Sequence, residues 1–390
     1  MKNAPLRVLG TSVTLLDEVQ KLARDDLGFA IEFNVQSGVE VMQNGILRPD
    51  TYDIYDQWYH SIELLWTAGA IQSTDSQRLA LWNDVGPLTK TGRFTDGADL
   101  GAGRRPIDVQ FIQEDGKLGS QQSRHLSAVP TVHNADSFSY DPRHTPKSQT
   151  LGDESWGWLL CDDWHGKVGM NTDPSIGIAD MILAARATNL IDFKDIGNLK
   201  INEIDELLDK LVQFKKEGHF GKFWANVSES ISYMSQRKGR IGGIWSPAAT
   251  NLRANGQPVR IAAPKEGYRA WHSGLCLSSK LNSEKEDQAY AYLNWWLSGR
   301  PGAILARQGY YSSTPAQTRK YLTQAEWDYW YAGKAASEEL CDPQGYKIIP
   351  QNAVREGGSH KDRMSRIIMW NTLMDEQNYL VRRWNELLSA

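Results

Sequence analysis

The stretch "LRVLGTSVTLLDEVQKLARDDLGFAIEFNVQ", residues 6–36 of a 390-residue chain, decides the fold class. Leu6 to Gly10 form a short apolar run that reads as a buried strand. Val13, Leu16, Val19, Leu22 and Ala23 then recur at three- and four-residue spacing, which is one face of a helix, and Gly28 stands where that helix should end. "FAIEFNVQ" alternates like a second strand. The pattern repeats in "SGVEVMQNGIL" (helix), "YDIYDQ" (strand) and "HSIELLWTAGAIQ" (a helix closed by Gly69). This β-α-β-α-β-α order predicts a mostly parallel sheet flanked by helices.

A second α/β unit follows. "GKVGMNTD" reads as a strand leading into "PSIGIADMILAARATNL", a helix with Asp173 at the N-cap and Pro174 at its first position. "INEIDELLDKLVQFKKEG" puts Ile201, Ile204, Leu207, Leu208 and Leu211 on one face. "RIGGIWSPAATNLRANG" reads as a strand and a helix. In "VRIAAPKEGYRAWHSGLCLSSKL" a charged turn and the pair Trp271-His272 separate two strand-like runs. Residues 284–309 read as one or two helices and residues 364–390 as a long amphipathic helix. Residues 84–125, with the Gly-rich "TDGADLGAGRRP", read as an exposed loop or insertion, and "RHLSAVPTVHNADSFSYD" as a strand pair turning at Asn134-Ala135.

Composition narrows the function. The length suits two domains. A net charge of −4 and scattered Lys and Arg give no basic field, which argues against nucleic acid or an anionic membrane as partner. No run approaches the ~20 apolar residues of a membrane helix. The chain starts without a signal-peptide apolar region, as expected of a cytosolic protein or of a mature form with an added Met. Cys161, Cys276 and Cys341 are too few and too far apart for a disulfide framework or a zinc site, and read as buried small residues or as one disulfide plus a thiol. "CDDWHG" reads as a surface turn, not a metal cluster. No nucleophile elbow, phosphate loop or convincing carboxylate pair appears, so the chain reads as a non-enzyme without cofactor or metal. Fifteen Trp, 15 Tyr and nine Phe are the unusual feature. Such rings supply packing area and faces for amines, cations or sugars.

The order of four stretches resembles the spermidine/putrescine-binding family of type II periplasmic solute-binding proteins of ABC importers. They are "YDIYDQWYHSIELLWTAGAIQ", "ESWGWLLCDDWHGKVGMNTDP", "GGIWSPAATNLRANGQPVRIAAPKEGYRAWHSGLCLSSK" and "AYAYLNWWLSGRPGAILARQGYYSSTP". The resemblance implies an α/β two-lobed fold, each lobe a mixed sheet flanked by helices, with a ligand cleft between lobes. Residues 1–130 and 272–345 would form lobe 1, and 131–271 and 346–390 lobe 2. It implies a monomer in the periplasm that delivers a small ligand to a membrane permease with its ATPase. Carried over position by position, it implies ligand contacts from Thr11, Ser12, Trp58, His60, Asp173, Trp245, Trp271, His272 and Tyr310. The acidic positions depart from the family: His272 stands where an Asp follows the crossing Trp, and Pro174 and Gly177 where acidic contacts are expected. With Arg253 and Arg269 near the tryptophans, and Thr11, Ser12, Thr172 and Ser175 at expected helix starts, a zwitterionic amine fits as well as a polyamine. An enzyme on the same fold, or a ferric-ion protein using Tyr310-Tyr311, is the alternative.

Overall fold

The computed structural model describes residues 4–95, 97–236 and 239–390. The chain divides into two compact units. The first comprises Met1–Ala98, Arg105–Asn134 and Trp271–Tyr331, the second Asp99–Arg104, Ala135–Ala270 and Ala332–Ala390. In chain order, the elements that position the functional residues are β1 (Leu6–Gly10), α1 (Asp17–Leu27), β2 (Ile31–Val35), α2 (Gly38–Leu47), β3 (Ile54–Trp58), α3 (Ile62–Thr67), β4 (Val129–Asp136), β5 (Ser139–Tyr140) and β6 (Val168–Asn171). They continue with α4 (Pro174–Ala187), α5 (Ile201–Lys216), β7 (Phe220–Trp224), β8 (Ile241–Gly242), α6 (Ser246–Ala254), β9 (Arg260–Ile261) and β10 (Tyr268–Ser278). The last are α7 (Glu286–Leu297), α8 (Arg300–Ala306), β11 (Tyr311–Ser312), β12 (Ile367–Trp370) and α9 (Gln377–Ser389).

In the first unit β1 pairs in parallel with both β2 and β3, as the opening β-α-β-α-β pattern predicts. The sheet then turns mixed: β10 runs antiparallel to β3, and the order is β11-β4-β10-β3-β1-β2. The helix expected from Thr11 begins only at Asp17. Residues 11–16 are a loop in which the Leu15 amide donates to the Thr11 carbonyl, and Val13 and Leu15 are buried as loop residues. The inward packing of Val13, with Leu16 at the N-cap of α1, extended the helical spacing back into this loop. Asp17 and Glu18 then place negative charge in the helix's first turn.

Other expectations need correction. Trp271 and His272 do not separate two strands; they lie within β10, eleven residues that are all buried. Asn134 and Ala135 are not a turn but part of β4. Residues 84–125 are not an irregular loop. They include short helices Pro87–Thr91 and Pro106–Gln110, and Phe111–Ile112, Leu118–Gly119 and His125–Leu126 join Thr74–Asp75 in an antiparallel four-stranded sheet. Leu88, Val109 and Phe111 give that segment its own buried contacts.

The second unit carries the sheet β7-β6-β8-β5-β9. Its core gathers Trp156, Trp164 and Trp384 with Ile182, Ile204, Leu207, Leu208 and Leu211. Ile201, expected on the same face of α5, is 46% exposed at the helix start. The tail expected as one helix is β12 followed by α9. The apolar run Ile367–Trp370 pairs in parallel with Tyr268–Ala270 of β10. Asp99–Arg104 adds the Ala102 amide to this region as a donor to the Ile368 carbonyl. All three cysteines are free, and only Cys276 is fully buried.

Gly177 shows why one family-like acidic position is empty. A Cβ there would come within 2.4 Å of the Asn171 carbonyl oxygen and 2.5 Å of the Trp384 ring. The position faces the core of the second unit, where Trp384 donates its indole N–H to the Thr172 carbonyl at 2.8 Å. Gly177→Ala is expected to overpack this contact and destabilise the unit by about 1–3 kcal/mol. A lowered urea midpoint checks this; an unchanged one would mean that α9 shifts freely.

Candidate functional site

In the first unit the ends of β3 and β10 bring aromatic rings together. Trp58 closes β3, and the chain turns at once through Tyr59, His60 and Ser61 into α3. This tight turn fans the three rings. The His60 ring stacks on Trp58 at 5.8 Å and meets Tyr59 edge-on at 6.0 Å. Tyr59 in turn lies flat against His272 of β10, with centroids 4.5 Å apart and planes 16° apart. Close approach of backbone makes room for Trp58: a Cβ on Gly38 would fall 2.5 Å from the indole. Trp271 meets Tyr310 edge-on at 5.3 Å, and the neighbouring His133 and Tyr311 stack at 5.7 Å. These rings are buried, Trp58 and Trp271 retaining 7% and 4% exposure.

His272 is neutral in this setting. Its Nδ1 lies 3.1 Å from the Ser273 carbonyl oxygen, which only accepts, so Nδ1 carries the proton and Nε2 is an acceptor. Burial pushes its pKa down to about 4, against a small opposing effect of that bond. On β3, the Asp56 carboxyl is buried, and among the described residues neither of its oxygens has a hydrogen-bond partner. Burial pushes its pKa up to about 7.

The second unit holds the charges. Asp173 caps α4, accepting from the Ser175 amide at 2.9 Å and the Ser175 hydroxyl at 2.6 Å. Burial nonetheless raises its pKa. Arg269, on the second unit's part of β10, is 2% exposed. It donates from Nε to Asp180 at 2.8 Å and from Nη1 to Asn371 at 2.8 Å, and also feels Asp136 and Asp173. Burial pushes the Asp180 pKa up, and the charge and hydrogen bond of Arg269 oppose that shift. Trp245 stands at the N-cap of α6, edge-on to Trp224 at 5.4 Å.

The nine residues expected at the site therefore fall into three groups. Trp58, His60, Trp271, His272 and Tyr310 lie in ring contacts of the first unit. Asp173 and Trp245 belong to the second. Thr11 and Ser12 precede α1 by several residues, so they do not sit at a helix N-terminus. The arginines expected to meet an anionic group have internal partners: Arg253 donates to Glu356 at 2.6 Å, and Arg269 to Asp180. Sequence reasoning missed Tyr59, whose adjacency to Trp58 was the available signal, and Asp136 and Asp180, which approach Arg269 through the fold. Among the described residues no group of three or more His, Cys, Asp or Glu is arranged to hold a metal ion. Among them, too, no helix is long and apolar enough to cross a membrane.

Solved structures resemble the chain over nearly its whole length. The spermidine/putrescine ABC transporter substrate-binding protein of Streptococcus pneumoniae, in complex with calcium and HEPES, is 13% identical, covering 99% of this chain and 98% of its own, with TM-score 0.64. The Tp0655 lipoprotein of Treponema pallidum is 11% identical over 99% and 98%, TM-score 0.63. The PBP MotA of A. tumefaciens B6, in complex with glucopine, is 9% identical over 98% and 99%, TM-score 0.61. No curated protein matches the chain. The fold is thus the two-lobed α/β class of periplasmic binding proteins. The sequence profile described as bacterial extracellular solute-binding protein matches residues 67–328, and the chain belongs to that family. It is a solute-binding protein.

Proposed function

We propose that this chain binds a small polar amine, polyamine-like or zwitterionic, in the periplasm and delivers it as a monomer to the permease of an ABC importer. The observation that carries this reading is the set of buried ring contacts in the first unit, among them Trp58–His60 and Trp271–Tyr310. Rigid aromatic rings offer a contact surface at small entropic cost and a favourable face for cationic groups. The arginines near the tryptophans in sequence have internal carboxylate partners, Arg253 with Glu356 and Arg269 with Asp180, which supports an amine over an anion. The relatives named for spermidine/putrescine support the same class.

A thermal-shift panel of polyamines, betaines and amino-acid derivatives tests the reading. An amine is expected to raise the melting temperature, since a solute at 100 times its Kd stabilises by about 2.7 kcal/mol. Trp271→Phe is expected to weaken binding about tenfold or more while leaving the unliganded protein folded. Stabilisation by carboxylate or phosphate compounds alone would contradict it.

A further inference from the structure

Asp99–Arg104 belongs to the second unit, although the chain before Asp99 and after Arg104 belongs to the first. This Gly-rich strap of the inserted segment lies along β12. The Ala102 amide donates to the Ile368 carbonyl at 2.9 Å and the Trp370 amide to the Ala102 carbonyl at 2.8 Å, so that Ala102 bridges Met369 as a parallel strand would. The buried Trp370 indole donates to the Leu100 carbonyl at 2.8 Å, and the Arg104 amide to the Thr372 hydroxyl at 3.2 Å. Glycines make the seat fit. Gly103 has a φ of +87°, and a Cβ there would fall 2.7 Å from the Trp370 carbonyl oxygen; a Cβ on Gly197 would fall 2.1 Å from the Gly103 nitrogen. Lifting the strap away would take the acceptors from both N–H groups of Trp370, a residue with no exposed surface.

The strap's C-terminal end has no slack. Arg104 is held on the second unit. Arg105, one peptide bond later, is held on the first: its amide and guanidinium donate to Asp108 at 2.8–2.9 Å, at the start of the helix Pro106–Gln110. Two other strands pass from unit to unit, β4 at Asn134-Ala135 and β10 at Ala270-Trp271. β12 pairs with Tyr268–Ala270, the last residues of β10 in the second unit, so Ala102, Met369 and Arg269 stand in register across the strap, β12 and β10. Each further anchored crossing beside these strands removes freedom to twist and to separate.

We infer that Asp99–Arg104 is a permanent tether: it stays seated on β12 and, through the taut step from Arg104 to Arg105, confines the motion of the two units relative to each other. Freedom removed in advance in this way is not lost again when a solute binds.

Double electron–electron resonance on the solute-free full chain tests this. Spin labels at Lys21→Cys on α1 and Glu206→Cys on α5, both exposed, read the spread of unit-to-unit distances in a background without the partly exposed Cys161 and Cys341. Inserting Gly-Ser-Gly-Ser between Arg104 and Arg105 keeps both anchors and adds up to about 14 Å of reach. It should broaden the distance distribution while hydrogen exchange at the Ala102 and Trp370 amides stays slow. Gly103→Val, which does not fit the seat, should broaden the distribution and speed both exchanges; should that variant fail to fold, the insertion decides. An unchanged distribution in the insertion variant overturns the inference. So does fast exchange of the Ala102 amide in the wild type, which would mean that the strap leaves its seat. No solute enters the experiment, so a negative result leaves the solute-binding reading standing.

Discussion

Replacing Arg269 by methionine is expected to destabilise the second unit by about 3–5 kcal/mol. The guanidinium is 2% exposed and bonded to Asp180 and Asn371, with Asp136 and Asp173 also within its field. Removing it strands at least one carboxylate in a region closed to water. The penalty comes from that uncompensated charge more than from the lost bonds. Arg269→Met combined with Asp180→Leu should therefore recover much of the loss, because a buried pair replaced by apolar groups is often neutral or better. Urea unfolding of the two variants, followed on the second unit's transition, checks both statements. A single variant within about 1 kcal/mol of wild type would show that water reaches Asp180.

The second large effect concerns pH. The folded first unit holds the Asp56 carboxyl protonated to about pH 7, well above the ordinary aspartate value of 3.8. The Thr14 hydroxyl opposes the shift without reaching hydrogen-bonding geometry. A raised pKa means that folding favours the neutral acid. The contribution is fully present below pH 3.8, declines as pH rises toward 7, and is lost above that. The gap between those two values corresponds to a swing on the order of 4 kcal/mol. Asp56→Asn presents a similar shape that cannot ionise. The variant should match wild type near pH 4 and be the more stable near pH 8 by an amount approaching that swing. Denaturant unfolding at the two pH values measures it. The comparison of the two proteins cancels carboxylates whose pKa moves down, such as Asp53 and Asp141, whose own stabilisation fades on acidification. A difference that does not change with pH would mean that Asp56 is hydrated in the folded protein.

How much of this was legible in the sequence follows from where each signal originates. The strands β1, β2 and β3 and the helix α2 were readable because their apolar periods are local and their ends are marked, by Gly28 after α1 and by the Ser37 capping box before α2. β10 was misread because a strand buried on both faces has no alternation to follow, and a charged turn before it suggested a break. β12 hid inside a helical pattern because its four residues gain their pairing from Tyr268–Ala270, about a hundred positions away. The ring partners followed the same rule. Trp58, His60, Trp271 and Tyr310 were found through the family resemblance, but the stacking of Tyr59 on His272 joins residues far apart in sequence. The buried aspartates were missed for the same reason: Asp180 looks like an ordinary helix residue until Arg269, 89 positions later, lies against it.

Isothermal titration of wild type and Trp271→Phe with the amine that stabilises the protein most tests the central claim most directly. The account predicts one solute per chain and an affinity weakened about tenfold or more in the variant. One-to-one binding with the same affinity in both proteins would place the solute away from the ring cluster and contradict it.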